Sequence, residues 1–389
     1  MFSRRVPAHL DPNPLARAVR EFRAAGRPFI DLTGSNPTSV GLTYPEGLLD
    51  GLRGPGAYVY EPHPLGLPAA REAVAAEYTR RGVTVPASRI VLTASTSESY
   101  SFLFRLLCAP GENVLVPRPS YPLFEYLTDL DGIEGRPYRL DDESAWGFDA
   151  AAVAAAADER TRAVVVVSPN NPTGTRIDRE SLGPLAALCA ARGMALIGDE
   201  VFAEYELEAA PTAAASVLQG GEALAFSLGG LSKAIGLPQL KLGWMALGGP
   251  PVLVEEALAR LEVVGDAYLS VSGPVQAAAG ELLMRGADVR RQIAARVLLN
   301  YGVLKELVAA YPACRVPPAA GGWSAVVQAP AVMPDDLRAL DLLMNHGVLA
   351  HPGYLFDFER EGYFVVSLLT APDAFRTGLR RMLEGVSCT

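Results

Sequence analysis

Between residues 90 and 246 the chain alternates two kinds of apolar segment. Ile90–Thr93, Asn113–Val116, Ala163–Val167, Met194–Ile197, Ala223–Leu228 and Leu242–Ala246 are short runs dominated by aliphatic residues, and Ala163–Val167 holds no polar residue. Continuous apolar runs of this length predict strands buried on both faces. Between them lie helical segments. Tyr100–Cys108 is stopped by Pro110-Gly111, Ala150–Ala157 is almost pure alanine, and Ser181–Arg192 is followed by Gly193 at the C-cap position. Strands separated by helices predict a mostly parallel sheet with helices on both faces, and in such sheets ligands bind beyond the carboxyl ends of the strands.

The last hundred residues have a different rhythm. One long helix is expected over Ala279–Ala310, then a break at Pro312–Pro318. Short strands follow at Ser324–Gln328 and Phe364–Leu368, with helices after Pro334 and Pro372. The expected organisation is a large α/β domain over 46–280 and a smaller α+β domain over 281–389, joined by the N-terminal segment 1–45.

Composition narrows the functional classes. The chain has 389 residues, half of them apolar and 20% charged, with a formal net charge of -9. These are globular proportions. An acidic chain without a Lys/Arg cluster is a poor partner for nucleic acid. No run of apolar residues is long enough to span a membrane, and the opening MFSRRVPAHLDPNP has no signal-peptide core. Cys108, Cys189, Cys314 and Cys388 are widely spaced and lack nearby His ligands, so neither a disulfide framework nor a metal site is expected. A reducing cytoplasm is the expected setting.

Four segments that follow strands carry candidate chemistry. Ser95, Thr96 and Ser97 stand between a strand and a helix, where exposed backbone N–H groups suit a phosphate; a simple helix cap fits the same residues. Ser168-Pro169-Asn170-Asn171-Pro172-Thr173-Gly174 is a rigid turn that holds an amide at a strand end. Asp199 ends a buried strand and needs a partner, either a protonated ring nitrogen or a helix N-terminus. Lys233, in Ser227-Leu228-Gly229-Gly230-Leu231-Ser232-Lys233, follows a strand in a glycine-rich turn and is a candidate carbonyl-bonding amine. A nucleotide-binding P-loop requires Gly-Lys-[Ser/Thr], which this segment lacks, and no G-x-G-x-x-G follows a strand, which disfavours a dehydrogenase.

In order and spacing these motifs make the chain resemble the fold-type I pyridoxal 5′-phosphate enzymes, specifically the aspartate-aminotransferase-like class I/II aminotransferases. The resemblance covers nearly the whole chain. It implies an α/β fold with a mostly parallel seven-stranded sheet plus a smaller α+β domain, pyridoxal 5′-phosphate as cofactor, and a cytoplasmic homodimer with shared active sites. Carried over residue by residue, Lys233 is the catalytic lysine and Asp199 the carboxylate that keeps the cofactor ring nitrogen protonated. Asn171 donates to the phenolic oxygen, Ser95, Thr96, Ser97 and Ser232 cradle the phosphate, and Tyr121 stacks on the ring. Tyr60 reaches the phosphate of the neighbouring subunit. Ser35 stands beside the substrate, with Tyr121 and Asn171, and Trp323 is a candidate pocket wall or a core residue.

Three positions depart from the family pattern. Phe202 stands where the family carries a tyrosine that bonds the phenolic oxygen, and Tyr205 is a candidate replacement for that hydroxyl. Lys241 stands where an arginine binds the phosphate, keeping the charge and losing the fork. Val365 stands where the family's arginine clamps the substrate carboxylate, with Arg4, Arg5 and Arg360 as candidate substitutes. The activity expected is transfer of an amino group between an amine donor and a carbonyl acceptor. A lyase, decarboxylase or cyclase of the same fold is the alternative, because the cofactor does the hard chemistry. A non-catalytic cofactor-binding module attached to a DNA-binding domain is disfavoured, since no helix-turn-helix precedes the core.

Overall fold

The computed structural model describes residues 2–8, 10–140 and 146–387. Helix α1 (Pro14–Ala24) opens on an Asn13 cap, and strand β1 (Ile30–Asp31) follows. The large unit then runs α2 (Pro68–Arg80), β2 (Ile90–Thr93), α3 (Thr96–Leu107), β3 (Asn113–Arg118), α4 (Phe124–Asp131), β4 (Glu134–Arg139), α5 (Ala150–Ala156), β5 (Thr161–Val167), α6 (Arg179–Arg192), β6 (Ala195–Asp199), β7 (Ala225–Gly230), α7 (Leu231–Ala234), β8 (Gly243–Gly248) and α8 (Pro251–Asp266). Its seven strands stand in the order β2-β8-β7-β6-β5-β3-β4. Neighbours from β7 to β4 are parallel, and β8 is antiparallel to both β7 and β2. The sheet is therefore mostly parallel, as its uniformly buried strands require: β5, β6 and β7 are almost wholly buried.

Two features of this sheet depart from the sequence reading. Strand β4 has the sequence EGRPYR, with most side chains exposed or part-buried, and was not expected to be a strand. It lies at the sheet edge and pairs only with β3, so it needs neither an apolar pattern nor a donor at Pro137. The second concerns the expected single helix over Ala279–Ala310. It is two helices, α9 (Gly273–Arg285) and α10 (Ala287–Val308), divided at Gly286. A Cβ at Gly286 would lie 2.6 Å from the Leu282 carbonyl oxygen and 2.7 Å from the Ile235 Cβ. Close packing against the turn after Lys233 thus demands glycine at the joint.

The C-terminal unit holds β9 (Ser324–Gln328), α11 (Asp335–His346), β10 (Val348–Leu349), β11 (His351–Pro352), β12 (Tyr363–Ser367) and α12 (Pro372–Ser387). Strands β11, β12 and β9 form an antiparallel sheet. β1 pairs in parallel with β10, so the N-terminal segment completes this unit. The Ser367 hydroxyl donates to the Gly34 carbonyl at 2.6 Å, and the Ser367 amide donates to the Leu32 carbonyl at the same distance. Ser35 is thereby fixed to the end of β12.

Candidate active site

Three adjacent parallel strands end on one cavity. β5 ends at Val167 before the turn that carries Asn171, β6 ends at Asp199, and β7 ends at Gly230, three residues before Lys233 in α7. The cavity encloses about 320 Å³. Its lining includes Ser35, Ser95, Thr96, Ser97, Tyr121, Asn171, Asp199, Phe202, Ser232, Lys233 and Lys241, and Trp323 walls it as well. Residues spread over some 290 positions of sequence are thus brought to one place.

Each is held by local structure. Ser95 caps α3: its hydroxyl accepts from the Glu98 amide at 3.1 Å, while Glu98 accepts from the Ala94 amide at 2.6 Å. Ser95 is the helix cap, and Thr96 and Ser97, whose first-turn N–H groups have no helical carbonyls of their own, line the cavity. Gly243 runs against this turn, and a Cβ there would lie 2.8 Å from the Ser95 carbonyl carbon. Around Asn171 the turn is closed by Asn170, whose amide donates to the Thr175 carbonyl at 2.7 Å and whose carbonyl accepts from the Gly174 amide at 2.8 Å. The Ser168-Pro169 and Asn171-Pro172 peptides are cis. Lys241 adopts a left-handed conformation, φ 51°, which is costly for a side chain of this kind and is held here at a cavity wall.

Electrostatics set the chemistry. Burial pushes the Asp199 carboxyl up to about 6, against the opposing pull of the Val201 amide, the Tyr100 hydroxyl and Lys233. The Tyr100 hydroxyl donates to Asp199 at 3.1 Å. Tyr100 escaped the sequence reading, which placed it in an apolar helical run. The available signal was its position one helical turn beyond Thr96, on the face that the cradle presents. Burial lowers the Lys233 amine below its ordinary value, with Asp199 opposing, so a larger fraction is a neutral nucleophile. Its Nζ lies 5.0 Å from the Trp323 ring centroid and 5.7 Å from that of Phe202.

Glu200, next to Asp199, turns to the other side of the strand. It accepts from Arg81 at 2.8 Å, from Ser216 and Ser227 at 2.7 Å, and from the Val217 amide at 2.8 Å. A buried carboxylate so fully satisfied anchors the end of β6.

Other expected residues are placed elsewhere. Tyr60 is 81% exposed and lies outside the cavity of its own chain. Tyr205 does not take over the hydroxyl missing at Phe202, because its own hydroxyl donates to the Lys233 carbonyl and fixes that turn from below. Val365 is buried between Val326 and His351 on neighbouring strands and does not line the cavity. None of Arg4, Arg5 and Arg360 lines it either. Arg5 packs over Gly132, and Arg360 lines a separate cavity with Arg118 and Arg139.

Residues 58–373 match the family Aminotransferase class I and II. The chain belongs to that family. Nicotianamine aminotransferase A of Hordeum vulgare is 33% identical over 211 residues, a match that spans 54% of this chain and 45% of that protein. The chain therefore spans about half the length of these curated relatives. Glutamate-pyruvate aminotransferase AlaA of Escherichia coli is 27% identical over 266 residues, 68% of this chain and 65% of its own. The fold matches at full length: an Escherichia coli aminotransferase superposes with a TM-score of 0.87 at 23% identity, covering 100% of this chain and 98% of its own. The alanine aminotransferase of Pyrococcus furiosus gives 0.87 at 22% identity, covering 99% of each chain. The sheet and its flanking helices are those of an aminotransferase of this class.

Proposed function

We propose that this protein is a pyridoxal 5′-phosphate-dependent aminotransferase that moves an amino group from an amine donor to a 2-oxo acid. The observation that carries the proposal is one cavity holding a buried amine with depressed basicity, a buried carboxyl and the open start of a helix.

The residues fit the cofactor. Asp199 is a buried carboxyl with no cationic partner closer than Lys233 can provide, which a ring N–H would satisfy. Asn171 lines the cavity, where its side-chain N–H would donate to the cofactor's phenolic oxygen. Thr96, Ser97, Ser232 and Lys241 suit a phosphate, with the helix start supplying partial positive charge. Tyr121, from the loop after β3, would cover the ring. When bound, the cofactor supplies an aldehyde for the amino group and an electron-withdrawing ring.

The residues then have defined tasks. With the cofactor bound, Lys233 would be the neutral amine that meets its aldehyde and would hold and move the proton at the amino-bearing carbon. Asp199 would keep the ring nitrogen protonated, and the Tyr100 hydroxyl favours the ionised form of that carboxylate. Phe202, Trp323 and Tyr121 exclude water from the reacting carbon. Tyr60 acts on the phosphate of a second copy, which makes the functional unit a homodimer.

Borohydride reduction of the holoenzyme followed by peptide mapping should fix the cofactor on Lys233, and Lys233→Ala should lower turnover by at least about a thousandfold. Single-turnover mixing with an amine should leave the cofactor in its amine form. Reduction at another lysine would overturn the assignment of Lys233, and product release with the aldehyde form retained would replace transamination with a lyase or decarboxylase reaction.

A further inference from the structure

The turn that carries Lys233 has little helix of its own to hold it. α7 is a single turn, Leu231–Ala234. The Ile235 amide donates to the Leu231 carbonyl at 3.2 Å. The Leu237 amide, which a longer helix would aim at Lys233, donates to the same Leu231 carbonyl at 3.1 Å. The later carbonyls of the turn therefore need partners from elsewhere. Two tyrosine hydroxyls from distant segments supply them: Tyr205 donates to the Lys233 carbonyl, and Tyr44 donates to the Gly236 carbonyl at 2.7 Å.

The two bonds are not equivalent. Tyr44 holds the chain beyond the lysine, whereas Tyr205 holds the lysine residue itself. Tyr205 also reaches the wall beside the amine. Its ring centroid lies 5.2 Å from that of Trp323, its amide donates to the Phe202 carbonyl at 3.0 Å, and its carbonyl accepts from the Gly322 amide at 2.8 Å. Trp323 and Phe202 are the rings that the Lys233 amine faces, at 5.0 and 5.7 Å. One fully buried side chain, outside the cavity lining, thus ties together the main chain of the lysine and the two rings against which its amine rests.

We propose that Tyr205 is a positioning residue for the proton transfer by Lys233. Its hydroxyl anchors the lysine main chain and its ring backs the aromatic wall, so the amine returns to one place whenever it is released from the cofactor. The proposal rests on the aminotransferase reading and deepens it. Placement matters at this step, because a shift of about 1 Å at a reacting centre can cost about a hundredfold in rate.

Tyr205→Phe removes the hydroxyl and keeps the ring. Tyr44→Phe removes the neighbouring bond in the same turn and is the control. Position is read first, in the apoenzyme. Lys233, Lys241 and Lys305 are the only lysines of the sequence, so lysine labelled with carbon-13 at the ε position gives a simple NMR spectrum. Lys233 is assigned by the signal lost in Lys233→Ala. Ring currents of Trp323 and Phe202 displace that signal, which should move in Tyr205→Phe and stay in place in Tyr44→Phe. A ring-fluorinated tyrosine in place of Tyr205 alters the donor without removing it. It should move the same signal, and it serves where the phenylalanine variant does not fold.

Rates are read next, by mixing holoenzyme with an amine donor, with and without deuterium at the amino-bearing carbon. Tyr205→Phe should slow formation of the amine form by about tenfold or more and raise the isotope effect, while the donor's dissociation constant changes by less than about twofold. In Lys233→Ala, where added methylamine serves as a free base, Tyr205→Phe should slow the reaction no further, because no tethered amine is left to position. An unmoved lysine signal, an equal loss in Tyr44→Phe, or an equal loss on the methylamine-rescued background would make Tyr205 a structural residue and overturn the proposal. The aminotransferase reading fails separately: product release with the aldehyde form retained would sink transamination, and the apoenzyme signal would still report whether Tyr205 places Lys233.

Discussion

Asp199 shows how much of this site depends on single contacts. Its carboxyl is buried enough to titrate near 6, and the Tyr100 hydroxyl at 3.1 Å is one of three groups that favour the ionised form. Tyr100→Phe removes that donor and keeps the ring, so the carboxyl should hold its proton to higher pH. Loss of one hydrogen bond to a charged group is worth about 1.5–3 kcal/mol, or about one to two pH units. The acid limb of cofactor capture by the apoenzyme, followed by stopped-flow absorbance, should move up by that amount. The same group sets a sign for stability. The folded carboxyl keeps its proton up to about pH 6 against an ordinary value of 3.8, so the folded state binds more protons in that window. Its contribution is present at low pH and is lost as pH rises towards 6. In the variant this loss should extend to higher pH. An unmoved limb would mean that Tyr100 packs without tuning the acid.

At the scale of elements, the cradle is a contact between α3 and β8. Gly243 begins β8 against the backbone of Ser95 and Thr96, with a prospective Cβ 3.0 Å from the Thr96 nitrogen. Gly243→Ala should push the two apart, at a cost of about 1–3 kcal/mol, and weaken pyridoxal phosphate binding by about tenfold or more. Equilibrium titration with circular dichroism as the fold control checks this, and an unaltered affinity would show that the cradle tolerates the shift. These elements also mark what the sequence makes legible. Buried strands such as β5 announce themselves because both faces are apolar. The residues at their ends stand out because polar groups there interrupt an apolar run. Edge strand β4 is invisible to that logic, since its exposed face leaves no pattern. The joint at Gly286 is equally hidden: helical periodicity continues through it, and the constraint comes from Ile235, some fifty residues away. Tyr100 is missed for a related reason: it is an aromatic in an apolar run whose hydroxyl finds its partner only through tertiary packing. The partner of the Tyr205 hydroxyl, the Lys233 carbonyl, is equally set by packing and not by sequence.

At the scale of the molecule, the cavity gathers its lining from the N-terminal segment, the ends of the central strands and the start of β9. Tyr60 is the member of the expected set that this gathering leaves out. With Tyr58 and Val59 it forms an exposed apolar stretch, an arrangement that a partner subunit would cover. If Tyr60 serves the site of a second copy, two defective chains can repair one another. Lys233→Ala removes the amine from its own site, and Tyr60→Ala removes a phosphate contact from its partner's. In a mixed dimer both defects then fall in the same cavity and the other cavity is intact. Random reassortment of equal amounts makes about half the dimers mixed, each with one sound site, so specific activity at limiting cofactor should recover to about a quarter of wild type. If Tyr60 acts within its own chain, each cavity of the mixed dimer keeps one defect and mixing recovers nothing. Refolding the two variants together, and assaying against each refolded alone, separates the two cases without requiring the natural substrate: any amine donor that yields the amine form in the wild type suffices.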